Sequence, residues 1–136
     1  MKTYRATHLG ANAVAEMLPH GLLLVAFSGP ITASSLPTLK RKIAAGMALD
    51  AARAVVSDYS SATVLLDDAA VGEMMAGGEP GNLPQLPAAV VAQGADLRRL
   101  RRAAIAAGFR HGLPRVVVPD RRQALRWAVG QIHARS

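Results

Sequence analysis

The segment 53–68, "RAVVSDYSSATVLLDD", decides how this chain is read. A run of small apolar residues ends in Asp58, Ser60 and Ser61 follow, and a second apolar run delivers the adjacent carboxylates Asp67 and Asp68. The part "RAVVSDYS" reads as a buried strand, because a short apolar run closed by polar residues suits a strand covered on both faces. A helix over 67–76 should then start on the two aspartates, whose charge is favoured beside free helix amides. The acidic cluster admits three uses: a catalytic site, a phosphate site or a surface for a partner.

Working outward, "GLLLVAF" (21–27) is a second, central strand closed by "SGP". Before it, "PHG" at 19–21 favours a tight turn, so that 13–27 reads as a hairpin, with a short helix over 11–18 as the competing reading. The stretch 33–49 places Leu36, Leu39, Ile43 and Met47 at helical spacing, with Thr32 or Ser34 to cap it and Pro37 in the first turn. Beyond the central segment, "GGEPGNLPQLP" (77–87) is an irregular loop and "AAVVA" (88–92) a third strand of the series. A helix over 95–107, with Leu97, Leu100, Ala104 and Ile105 facing inward, should stop at Gly108. A fourth strand, "RVVVP" (115–119), precedes a last helix over 120–134, with Leu125, Trp127, Val129 and Ile132 near its apolar side and Trp127 as a core anchor.

The fold class that follows is α/β: one mostly parallel sheet of four to five strands, an N-terminal strand that could run antiparallel, and about four helices. At 136 residues, a single domain over 1–136 accounts for the whole sequence. Half of the residues are apolar, mostly Ala, Val and Leu, so the core should consist of aliphatic layers. No apolar run approaches the roughly 20 residues that span a bilayer, and no signal-peptide pattern opens the chain, which leads us to expect a soluble cytoplasmic protein without membrane insertion. With no cysteine, disulfides, thiolate nucleophiles and Cys-based zinc sites are excluded.

The net charge of +7 is concentrated in the last third, where residues 96–136 carry ten Arg against Asp96 and Asp120. Arg98, Arg99, Arg101 and Arg102 on one helix would cover about 150° of its circumference at about 100° per residue, a broad basic face. Such a face suits an acidic protein partner, a nucleic acid or plain solvation. Stacking aromatics are absent nearby, which argues against single-strand binding.

The order of "GLLLVAFSGPITASSLPTLKRKI", "ARAVVSDYSSATVLLDDAAVG" and "AAVVAQGADLRRLRRAAIAAGFRHGLPRVVVPDRRQAL" resembles the STAS domain. This is the fold of bacterial anti-sigma-factor antagonists and of the cytoplasmic part of sulfate transporters, a β-α superhelix related to the Sec14-type lipid-binding fold. The resemblance covers residues 13 to 130. It implies a non-enzymatic regulatory module that binds a protein partner, either a regulatory protein or a kinase, with a homodimer as a further option. Binding of a small ligand, a lipid or a nucleic acid is the alternative. Family members commonly carry Asp-Ser-Ser-Gly at the start of the second helix, where a partner kinase phosphorylates a serine. Counted without a gap from Asp58, this chain offers Leu66, Asp67, Asp68 and Ala69, so that Asp68 stands at the phosphoacceptor position. The implied partner surface is Asp58, Ser60, Ser61, Asp67 and Asp68.

Catalytic classes find less support. A receiver-type phosphotransfer site needs carboxylates after the first central strand and a lysine after the last, and "LLLVAFSGPIT" and "RVVVPDRR" supply neither. His8, His20, His111 and His133 lack metal-ligand spacing, and no Gly-rich phosphate loop or nucleophile elbow occurs, so neither a metal nor a cofactor is expected. Met74 and Met75 could form an adaptable contact patch or pack inward.

Overall fold

A computed structural model describes residues 3–76, 86–107 and 114–135. The elements in chain order are β1 (Thr3–His8), β2 (Ala11–Leu18), β3 (Leu22–Ile31), α1 (Ser35–Gly46), β4 (Ala54–Val64), α2 (Asp68–Ala76), β5 (Ala88–Val91), α3 (Gly94–Ala107), β6 (Arg115–Val118) and α4 (Arg121–Ala134). The six strands form one sheet in sequential order; β1, β2 and β3 pair antiparallel, and β3 to β6 pair parallel.

The sheet therefore has six strands where four to five were expected. The additional one is β1, "TYRATH", whose polar, alternating composition suits an edge strand. Its inward residue Ala6 is buried while Thr3, Arg5 and Thr7 face solvent. The Lys42 ammonium donates to the Thr7 carbonyl at 2.6 Å, which together with Arg5 blunts an otherwise open edge. The 11–18 segment is a strand, and the hairpin reading holds over its helical competitor.

Each face of the sheet has its own core. On one face Leu23, Val25, Phe27 and Val55 meet Leu36, Leu39 and Ile43 of α1, Val71, Met74 and Met75 of α2, and Leu100 of α3. Both methionines are thus packing residues, each almost fully buried. On the other face Leu22, Leu24, Val56 and Val91 meet Ala124, Ala128 and Ile132 of α4. These three positions, four apart, are the buried row of α4; Leu125, Trp127 and Val129 pack only partly against the core. Trp127 is half-buried, a rim residue rather than the expected anchor, because the small alanines let the helix lie close to the sheet and push the larger side chains outward.

Helix α3 is likewise rotated from expectation. Leu100 is buried, Leu97, Ala103 and Ala104 are half-buried, and Ile105 is 83% exposed. Leu97, Leu100 and Ala104 face the core as expected, but Ala103 takes the place expected of Ile105, so the apolar pattern of the sequence misplaces the edge of the helix face. Of the two candidates for capping α1, Thr32 is used: its hydroxyl accepts from the Ser35 amide at 3.0 Å and the Ser35 hydroxyl accepts from the Thr32 amide at 2.8 Å. This is the reciprocal capping-box arrangement, with serine in the place of glutamate. The loop expected over 77–87 falls almost wholly outside the described residues, and the helix stop at Gly108 wholly so. No helix is long and apolar enough to cross a membrane among the described residues.

Candidate functional site

The opening segment folds into β4, the corner after it and the first turn of α2. In β4, Ala26 of β3 faces Asp58, but Ser28 faces Ser61, so β4 carries one extra residue and bulges between them. A bulge leaves one backbone group without a ladder partner. Here the freed Ser60 amide donates to Asp58 Oδ1 at 2.9 Å, an i to i+2 side-chain bond that closes the bulge. The second oxygen, Oδ2, accepts from Arg121 Nε at 2.9 Å, at the start of α4. On the opposite face of the bulge the Phe27 and Tyr59 rings stack at 4.6 Å, and the Tyr59 hydroxyl donates to Met74 Sδ at 3.7 Å.

Asp58 is 4% exposed. Its burial pushes the carboxyl up, but the Ser60 hydroxyl and amide and the Arg121 guanidinium outweigh this and hold it below the usual carboxylate range. Asp58 is thus an ionised internal brace, both of whose oxygens face protein groups. Beyond the bulge β4 continues to Val64, so Ser60 and Ser61 lie in the strand with exposed side chains.

At the corner, Leu65 donates its amide to the Ile31 carbonyl at 2.8 Å and leaves its side chain 58% exposed, while Leu66 is buried under α2. Asp67 Oδ1 accepts from the Ala70 amide at 2.8 Å, the bond of an N-cap to the third helical residue. Asp68 points outward and accepts from Arg99 Nε at 3.1 Å. The Arg99 guanidinium also donates to the Leu66 carbonyl, so α3 clasps the corner from the side.

The structure therefore splits the five acidic and serine positions. Ser60, Ser61, Asp67 and Asp68 are exposed on or beside the carboxyl edge of the sheet, whereas Asp58 is turned inward. It also divides the basic residues: Arg99 serves the α2 corner, Arg101 Nε donates to the Val117 carbonyl at 2.9 Å, and Arg98 and Arg102 point to solvent. Arg121, the partner of Asp58, was not among the expected site residues. Nothing in its local sequence distinguishes it from Arg122 beside it; only the packing of α4 selects it.

For metals, His20 and His133 meet edge to face at 6.4 Å, far from this corner. Among the described residues no group of three or more His, Cys, Asp or Glu converges.

No family model matches the sequence, and no curated protein matches it. Solved structures do. An anti-sigma factor antagonist from Mycobacterium paratuberculosis superposes with a TM-score of 0.61 at 23% identity, covering 91% of this chain and 99% of that one. The fold is STAS-like. A DUF3478-family protein from Shewanella loihica, described as having a SpoIIAA-like fold, matches with a TM-score of 0.51 at 17% identity over 90% of this chain and 98% of its own. The STAS-like architecture accounts for the α/β class, the mixed sheet with its antiparallel N-terminal strands, and the four helices.

Proposed function

We propose that this STAS-like chain is a non-enzymatic regulatory module that recognises another protein through the corner between β4 and α2. The observation that carries this reading is the arrangement at that corner: an exposed leucine, Leu65, stands two residues before two exposed carboxylates, Asp67 and Asp68, at the strand-helix junction. Apolar contact flanked by charge is the usual composition of a protein-binding patch. Each carboxylate keeps an oxygen without a described hydrogen-bond partner, available to an Arg or Lys of a partner. Ser60 and Ser61 extend the same edge.

In the resemblance to anti-sigma-factor antagonists, Asp68 stands where a serine would be phosphorylated. A carboxylate is fixed at a single negative charge, whereas a phosphate adds about −1.5 to −2 and comes and goes. The partner would then be bound without a phosphorylation switch at this position. Asp58 contributes indirectly, by holding the bulge that sets the direction of Ser60 and Ser61.

Affinity capture from the native host tests this. Bait carrying Leu65→Ser, Asp67→Ser and Asp68→Ser is compared with the unaltered protein by mass spectrometry. A partner held by the unaltered bait and lost by the triple variant supports the assignment; identical captured sets refute it.

A further inference from the structure

Helices α2 and α3 lie side by side on the outer layer of the molecule, and their exposed surfaces carry opposite charge. On α2, Asp68, Ala69 and Glu73 are exposed, and at Gly72 nothing lies within 4 Å of where a side chain would begin. On α3, Arg98, Arg102 and Ile105 fall within about 60° of one another at 100° per residue, and all three face solvent. Among the described residues Glu73, Arg98 and Arg102 make no ion pair or hydrogen bond. The Arg99–Asp68 bridge at 3.1 Å fixes the two surfaces as neighbours.

We propose that this surface is a self-association interface, and that its occupant is a second copy of this chain. A twofold axis running along the groove between α2 and α3 lays α2 of each copy across α3 of the other. Every contact is then made twice: the carboxylates of one copy meet Arg98 and Arg102 of its partner, and Ile105 enters the shallow stretch at Ala69 and Gly72. A lone exposed isoleucine would signify nothing; the opposite charges on adjacent helices, with Glu73 on α2 and Arg98 and Arg102 on α3 unpaired among the described residues, carry the inference. A nucleic acid suits the surface less well, because Asp68 and Glu73 repel phosphates and a phosphate backbone offers Ile105 no apolar complement. The interface shares Asp68 with the partner-binding corner, but it rests on Glu73, Arg98, Arg102 and Ile105 as well and does not depend on that reading.

Charge exchange tests the interface. One variant carries Asp68→Lys and Glu73→Lys, a second carries Arg98→Glu and Arg102→Glu, and circular dichroism melts establish that each is folded. In sedimentation velocity at low salt the unaltered protein should form a reversible dimer that dissociates as salt screens the exposed charges. Each variant alone should associate on the order of tenfold more weakly or worse. An equimolar mixture of the two should dimerise again, because the introduced Lys of one then face the introduced Glu of the other, and the Arg98 and Arg102 that the first retains face the Asp68 and Glu73 that the second retains. Three results would each overturn the proposal: an unaltered protein that stays monomeric at low salt, variants that dimerise as it does, or a mixture that stays monomeric. Retardation of DNA by a monomeric unaltered protein, lost in the Arg98→Glu, Arg102→Glu variant, would assign the arginines to nucleic acid instead.

Discussion

Arg121 and Asp58, 63 positions apart in sequence, meet at 2.9 Å and tie the first turn of α4 to the bulge of β4. The folded carboxyl lies below its ordinary value of 3.8. The unfolded chain therefore binds the proton more readily, and the stabilisation is complete above that value and is lost as pH falls through the lower folded one. Asp58→Asn should destabilise the protein at neutral pH by about 1 to 3 kcal/mol, since a buried charge-assisted bond is removed. Urea melts across pH should show this difference shrinking under acid conditions; a constant difference would mean that the pairing is not the source.

Phe27 and Trp127 make a contrasting pair. Phe27 is fully buried and stacked on Tyr59, and Phe27→Ala should cost about 3 to 5 kcal/mol. Trp127 is half-buried at the rim of the α4 core, so Trp127→Ala should cost about 1 to 2 kcal/mol, roughly the apolar area that it covers. Denaturant melts of the two variants rank them directly, and an equal loss would place Trp127 in the core.

Gly29 of β3 has φ +77°, and a Cβ there would stand 2.4 Å from the Gly10 carbonyl oxygen in the β1–β2 turn. Both the left-handed backbone and the close approach exclude a side chain. Gly29→Ala should cost about 2 kcal/mol or more. Amide exchange should show the loss first in the N-terminal hairpin; even loosening of the whole sheet would contradict this account of the contact.

Much of this architecture was legible in the sequence because continuous apolar runs announce buried parallel strands. "LLLVAF", "AVV", "AAVV" and "RVVV" all became strands, and the helices between them followed. The misses share a physical cause. Strand β1 is an edge whose polar alternation carries little apolar signal; α4 buries Ala124 and Ala128 and α3 turns the half-buried Ala103 and Ala104 toward the core, and alanines weigh less in a hydrophobic pattern than the Ile105 and Trp127 that the structure leaves outside or at the rim. At the site, the exposed aspartates at the start of α2 were visible from their position after an apolar run. The bulge was not, because strand register depends on the neighbouring strand. Nor was the inward turn of Asp58, which depends on an arginine from the far end of the chain.

The cap at Asp67 separates stability from recognition. Asp67→Ala removes the acceptor for the Ala70 amide and should cost about 1 kcal/mol, whereas Asp67→Ser restores an acceptor and should cost less. Melting temperatures of the two variants check this; equal losses would mean that the charge matters here and the cap bond does not.

The most direct test of the recognition corner is calorimetric titration of the captured partner into the unaltered protein and into the Asp67→Ser, Asp68→Ser double variant. The serine at 67 preserves the cap, and the exposed Asp68–Arg99 pair contributes little to the fold, about 0 to 1 kcal/mol. The double variant should therefore melt close to the unaltered protein and bind at least about tenfold more weakly, the equivalent of about 1.4 kcal/mol. Unchanged affinity accompanied by a substantial loss of stability would contradict the account and reduce the two aspartates to helix caps.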